Sequence, residues 1–551
     1  MKLRAVVAWP SVMGALVEAV KGLDFVDLKI WSMRDMEEKE EECLKGLAGA
    51  DVVFLNANVG SEAWTKIEPA MMEISRSKPT VFIPTGASLT WLGNVDSKAT
   101  EACIQYFTNG GPENLRNMVA YMASEIMGLD VEVPPPREMP REGIHHPDAP
   151  RHFDSLEDYL AWRKPPGDMM AGLVFYRSYW VNRNCEVEDA LIRELESLGV
   201  GVIAVFTESV GRSDNGALPA AEAISKFLIR DDGSVAVDAL LNLQFAVLSS
   251  GGGGGDEKLS VEEGVRLLRR LDVPVFHPIV LYSRTEEEWR NEFQSVNGGS
   301  IGWSVAMPEF EGMIEPIVGG ALKRQRDEAS GVVVDKYGTI GERARKIAAR
   351  VRGWINLRKK PVEQRKVAFI LHNNPCASVE ATVGGGAHLD TLESVARVLA
   401  RMKDEGYSIA DCPENGKELI TTVMDRKAIS EFRWTTVDEI VSKGGALAQL
   451  SVEEYREWFD GFPEGIRERL VKTWGEPPGE EIDGVPAAMV YEGKILVTGV
   501  AYGNAVVCVQ PKRGCAGPRC DGKVCKILHD PEIPPPHQYL ATYRHLERQF
   551  G

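Results

Sequence analysis

Nowhere in this 551-residue chain is a Gly-Lys pair followed by Ser or Thr. It therefore lacks the P-loop, whose backbone and lysine cradle nucleoside triphosphates, and any ATP hydrolysis coupled to it falls to another chain. No Gly-x-Gly-x-x-Gly opens a helix after the first strand-like run either, so the common dinucleotide turn has no match. No stretch approaches the ~18 consecutive apolar residues of a membrane span. The opening Met1–Trp9 only mimics a leader: Pro10, Glu18 and Lys21 interrupt it, and the pattern reads as strand then helix. Basic residues are in deficit, 63 Lys+Arg against 81 Asp+Glu, a net charge of −18. Duplex DNA or an anionic bilayer demands the opposite sign, so no nucleic-acid or membrane partner is expected. Cysteine is scarce, nine in all, six of them scattered singly. A chain of this length needs no disulfide staple, and the usage points to a reducing cytoplasm.

What is present is an ordinary globular balance, 44% hydrophobic and 26% charged, long enough for roughly three to four domains. Apolar runs at Ala5–Ala8, Val52–Leu55 and Thr80–Ile83 alternate with helical patterns at Asp35–Leu47 and Glu68–Ser75. That alternation predicts an α/β protein of several flavodoxin-like or Rossmann-like parallel-sheet units joined by linkers. The expected domains are 1–135, 165–335 and 366–551, with a proline-rich linker from Pro134 to Pro147 after the first. Between Ile340 and Lys366 ten Lys and Arg face two Glu. This basic connector reads as a solvated helix and hinge, or as counter-charge for a polycarboxylate ligand or an acidic partner.

Three stretches carry chemistry. His372 to Thr391 (HNNPCASVEATVGGGAHLDT) follows strand Val367–Leu371 and leads into a helix predicted at His388–Lys403. Open α/β sheets bind ligands at such strand ends. His372, Glu380 and His388 are candidate proton-transfer residues, and Gly384, Gly385 and Gly386 let the backbone approach a ligand. A glycine turn with a helix cap and surface histidines is the competing reading. In the second stretch, strand Ala505–Val509 delivers Gln510 and Arg513 as candidate carboxylate contacts. Cys515, Cys520, Cys525 and His529 follow at even spacing, ligand types that suit zinc or an iron–sulfur cluster. Their spacing matches no zinc ribbon or ferredoxin, so free thiols in a loop compete with a metal site. The third is Pro534–Phe550, where His537 opens a helix whose dipole lowers its pKa and keeps the ring neutral. A fourth, weaker segment, Phe175–Trp180, sets Arg177 among aromatics at a strand end.

Taken in order, these segments resemble the CobN/BchH-type large subunit of cobaltochelatase and magnesium chelatase. The resemblance rests on His146-Pro147-Asp148-Ala149-Pro150 with Tyr159-Leu160-Ala161-Trp162, Phe175-Tyr176-Arg177-Ser178 with Trp180, and Trp303 with Pro308-Glu309. It continues through His372–Asp390, Gly503-Asn504 with Gln510-Pro511, and Pro534–Tyr543. It covers the chain from about residue 140 onward, and His372-Asn373-Asn374-Pro375 with Pro535-Pro536-His537 is similar to the cobalt branch.

The resemblance implies an enzyme subunit that binds a tetrapyrrole and receives a divalent metal substrate, Co2+ or Mg2+. Separate AAA+ ATPase partner subunits would use the ATP. His372, Glu380 and His388 would then be catalytic. Arg177, Gly384, Gly385, Gly386, Gln510, Arg513 and His537 would meet the macrocycle. The family carries a further His-rich run after the helix corresponding to Tyr539–Phe550, and this sequence stops at Gly551. The expectation is therefore an N-terminal portion or split form, inactive by itself. The cysteine cluster, absent from the commonest family versions, marks a subgroup with its own metal or redox element. The competing function is a non-catalytic tetrapyrrole- or metal-binding protein that uses Cys515, Cys520, Cys525 and His529. A flavin or nucleotide enzyme rests on strand–helix alternation alone.

Overall fold

Five of the six residues of Lys2–Val7 (β1) are buried, as befits a strand covered by helices on both faces. A computed structural model describes residues 1–57, 62–84, 93–208, 217–218, 220–244, 257–296, 298–328, 331–373, 383–430, 435–482, 485–511 and 532–550. The chain divides into two compact units, Met1–Ile355 and Asn356–Gly551.

In the first unit β1 is followed by Asp27–Ser32 (β2), Val52–Asn56 (β3) and Thr80–Phe82 (β4), a parallel sheet of order β2-β1-β3-β4. The single helix expected at Asp35–Leu47 is two, Met33–Glu38 and Glu40–Ala48. A capping box of Ser32 and Asp35 starts the first early. Lys39 leaves helical geometry, and Glu40, Glu41 and Glu42 start the second where the helix dipole favours acid. A second sheet joins Gly143–His145 (β5), Met169–Tyr176 (β6), Val200–Thr207 (β7), Ala239–Asn242 (β8) and Val275–Phe276 (β9) in the order β5-β7-β6-β8-β9. Only β5 runs antiparallel there. A third sheet, Ile279–Thr285 (β10), Val318–Arg326 (β11) and Val333–Thr339 (β12), ties back to the first. Arg324 pairs with Asp35, and Arg34 with Glu288. The basic helix Gly341–Lys359 is partly neutralised: Arg350 pairs with Glu315, and Arg343 lies 4.9 Å from the Trp289 ring centroid.

The second unit holds Val367–Leu371 (β13), Ala446–Ser451 (β14), Glu481–Ile482 (β15), Val485–Pro486 (β16), Val490–Tyr491 (β17), Lys494–Thr498 (β18), Val500–Tyr502 (β19) and Ala505–Val509 (β20). One sheet has the order β13-β20-β19, with β13 and β20 parallel. A second, β14-β18-β17, is antiparallel, a departure from all-parallel units. Helix His537–Phe550 is anchored by polar groups rather than by apolar packing alone. His537 is fully buried; its Nε2–H donates to the Gly475 carbonyl at 3.0 Å, and its Nδ1 accepts from the Tyr455 hydroxyl at 2.9 Å. Gln538 accepts from the Met489 N–H at 2.7 Å and donates to the Leu496 carbonyl at 2.8 Å.

Two stability predictions follow from buried titratable groups. Glu188 is completely buried with one carboxylate oxygen unpartnered, and burial pushes its pKa up to about 8 from 4.5. As pH rises from 4.5 toward 8 the unfolded chain releases a proton the fold retains, so stability falls across that window. Glu188→Gln should therefore stabilise by about 1–3 kcal/mol near pH 8 and leave stability near pH 5 unchanged, as thermal unfolding at both pH values will show. Burial likewise lowers the His537 pKa from 6.5. The unfolded chain takes up a proton first, so its contribution is lost as pH falls below about 6.5. His537→Ala should cost about 2–4 kcal/mol at pH 8 by orphaning the Tyr455 hydroxyl and Gly475 carbonyl, and should flatten the acid limb of stability measured by denaturant unfolding.

Candidate functional site

Leu371 and Val509 are opposite partners in the parallel ladder of β13 and β20. The residues that follow both strands therefore emerge side by side at the carboxyl edge of the sheet. From β13 comes His372, exposed; from β20 comes Gln510, half-buried. The Gln510 N–H donates to the Leu371 carbonyl at 2.9 Å, and its side-chain amide donates to the Tyr539 hydroxyl at 2.9 Å. The Gly384 N–H donates to the His372 carbonyl at 2.7 Å, and Asn373 bridges to Val383. The glycine turn is thus sewn to the same strand end.

Gly384 has φ +77°, and a Cβ there would lie 3.2 Å from the Thr391 Cβ, so only glycine fits the turn without strain. Gly385, Gly386 and His388 are exposed. The helix predicted from His388 begins instead at Thr391, because the Asp390 side chain accepts from the Glu393 N–H and caps it there. His388 is left in the turn with φ +67°, a left-handed backbone that costs a residue with a Cβ about 1 kcal/mol or more. Two exposed imidazoles, a glycine turn and a glutamine–tyrosine pair thus belong to one strand-end neighbourhood. Such a surface can accept protons, present backbone amides and hydrogen-bond a polar ligand edge.

Tyr539 is the residue the sequence reading missed. It lies four before Tyr543 on the terminal helix, and the two rings pack at a tilt with centroids 4.8 Å apart. Burial, aided by the Tyr539 hydroxyl, pushes the Tyr543 pKa up to about 12. The signal available in the sequence is the i, i+4 spacing of Tyr539 and Tyr543, which sets both on one helix face.

Other expected contacts are turned to structural work. Arg177, expected to meet a substrate carboxylate, is buried. Its guanidinium donates to the carbonyls of Pro140 at 2.6 Å, Thr108 at 3.1 Å and Asn109 at 2.9 Å. It locks the proline-rich linker to the end of helix Ser97–Asn109, and burial lowers its pKa to about 10. Trp180 stacks on Phe206 at 4.0 Å. His537, expected to face the macrocycle, has both ring nitrogens engaged inside the fold. In the His146–Pro150 motif, His146 accepts from the Asp148 N–H and faces Glu196, which Arg163 grips through two bonds. Burial opposes the Glu196 charge, but His146 and Arg163 outweigh it and hold the carboxyl low. Asn504 donates to the Glu363 carbonyl and closes the turn into β20. Glu380, Arg513, Cys515, Cys520, Cys525 and His529 lie outside the described residues. Among the described residues no group of three or more His, Cys, Asp or Glu is placed to hold a metal, and no helix is long and apolar enough to cross a membrane.

Residues 104–551 match the family described as CobN/Magnesium Chelatase. The uncharacterized protein MJ1441 of Methanocaldococcus jannaschii is 39% identical over 549 residues, 98% of this chain and 42% of that protein. The chloroplastic magnesium-chelatase subunit ChlH of Oryza sativa subsp. indica is 26% identical over 500 residues, 87% of this chain and 32% of that subunit. The solved catalytic subunit of cobaltochelatase from Mycobacterium tuberculosis shares the fold, with a TM-score of 0.62 at 21% identity over 99% of this chain and 41% of that one. This chain thus spans less than half the length of each of these relatives. On the extent of the family match, which takes in both the strand-end site and the clamps around Arg177 and His146, the chain belongs to the CobN/magnesium chelatase family.

Proposed function

We propose that this chain forms the tetrapyrrole-binding part of a chelatase large subunit, which receives Co2+ or Mg2+ as substrate and inserts it into the ring. The observation that carries this reading is the meeting of His372, Gly384 and Gln510 at the carboxyl ends of β13 and β20, within a chain of this family. Metal insertion requires the pyrrole protons to leave, and exposed imidazoles at His372 and His388 supply bases for them, with Glu380 as a third. Gly385 and Gly386 leave the turn open to the approach of a flat ligand, and Gln510 holds a polar ring substituent beside Tyr539. Arg513 follows Gln510 closely in sequence and supplies a charge for a ring carboxylate. The cobalt branch is favoured by the His372–Pro375 and Pro535–His537 sequence forms. ATP hydrolysis is assigned to separate AAA+ subunits because this sequence has no P-loop. The zinc or iron–sulfur reading of Cys515, Cys520 and Cys525 remains a separate proposal, testable by metal analysis after anaerobic purification.

The test is titration of the chain with protoporphyrin IX and with a metal-free corrin, followed by Soret or visible-band shifts and tryptophan quenching. His388→Gly removes the imidazole while relieving the positive φ, so it should weaken binding about tenfold or more with an unchanged or slightly raised melting temperature. His372→Ala, at an exposed position, should weaken binding with the fold equally intact. Unaltered affinity in both variants, or a loss of stability matching the loss of binding, would overturn the assignment.

A further inference from the structure

The first sheet is unfinished at β2. Among the described residues the order β2-β1-β3-β4 leaves β2 hydrogen-bonded on one side only. Asp27 turns its backbone toward β1: opposite Lys2 in the parallel ladder, its N–H donates to the Met1 carbonyl, and its own carbonyl also accepts from the Arg4 guanidinium. Alternation along the strand therefore turns the N–H and C=O groups of Leu28 and Ile30 outward, and no described backbone group pairs with them there. They border a groove of about 660 Å³, walled on one side by Lys39–Gly49 and on the other by Gly331–Val333. Trp31 forms part of the wall and packs so closely on Gly46 that a Cβ there would lie 2.4 Å from the ring.

The charge around this edge is opposite to that of the chain. Lys2, Lys29, Lys39 and Lys45 line the groove, all exposed, and none enters an ion pair among the described residues. Of the carboxylates present, Asp27 is held by Arg4 at 2.7 Å and Asp35 by Arg324 at 2.9 Å, which leaves Glu42 to oppose four lysines. In a protein of net charge −18, this is a local cationic track laid along unpaired backbone.

We propose that this groove takes an extended acidic segment of a partner protein as a fifth strand beside β2. Its backbone pairs with Leu28 and Ile30, and its carboxylates meet Lys2, Lys29, Lys39 and Lys45. The six residues of β2 match a segment about 20 Å long. Backbone pairing supplies the affinity, and the lysines select acidic over basic strands.

The probe is a fluorescein-labelled heptapeptide, Thr-Glu-Val-Glu-Val-Glu-Thr, titrated with the full chain and read by anisotropy, with hydrogen exchange of the Leu28 and Ile30 amides as the structural readout. The peptide should bind about tenfold or more tightly than its Lys-for-Glu counterpart, and should slow exchange at both amides. The Lys29→Glu/Lys45→Glu double variant, altered only at exposed positions and checked by its melting temperature, should lose about tenfold in affinity. A peptide N-methylated at alternate residues should bind far more weakly. Equal binding by the N-methylated peptide would reduce the contact to surface charge and overturn the strand. Tighter binding by the double variant would show that Lys29 guards the edge against pairing, and it too would overturn the proposal, as would no binding at all.

Discussion

The parallel pairing of β13 with β20 is the constraint on which the strand-end site depends. These strands are far apart in sequence, and only their ladder sets Leu371 opposite Val509. Because side chains alternate along a strand, a slip of one residue would exchange the two buried faces of β20 and part His372 from Gln510. The register is protected at both ends. Val367 donates to the Asn504 carbonyl before the ladder begins, and Gln510 donates to the Leu371 carbonyl as it closes. All five residues of β20 are buried, so the strand cannot move without exposing core, and the residues leaving it inherit a fixed direction.

Where the chain lacks a regular ladder, buried polar side chains do the positioning. Arg177 gathers backbone carbonyls from the linker and from a helix end. His537 and Gln538 do the same for the terminal helix, reaching Gly475, Met489 and Leu496. Each is stable in the interior because its donors and acceptors are answered there, and each would be costly if a partner were lost. Glu188 is one exception, a carboxyl with one oxygen unanswered and a pKa raised by burial. The strained residue of the second unit's glycine turn, His388, is by contrast exposed, and its backbone strain has no packing role to explain it.

The charge distribution separates scaffold from surface. Part of the basic excess near residue 350 is answered within the first unit, with Arg350 on Glu315 and Arg343 over Trp289. Among the described residues the lysines along β2 enter no ion pair. A net charge of −18 thus coexists with a small basic track, a contrast that composition averages away.

The sequence by itself determined the α/β class, strands Val367–Leu371 and Ala505–Val509, the terminal helix from His537, the family resemblance and the absence of a P-loop. Each of these is local: apolar runs, glycine and proline punctuation and motif order are written in consecutive residues. It did not reveal that the helix after the glycine turn begins at Thr391, since periodicity cannot weigh an aspartate cap against three more residues of helix. The tertiary structure alone decided which polar residues face inward. Arg177 and His537 looked like ligand contacts because arginine and histidine serve both purposes, and only the carbonyls brought to them from distant segments show how their side chains are engaged. Tyr539 acquired its place beside Gln510 in the same way, through a strand pairing that no local pattern encodes.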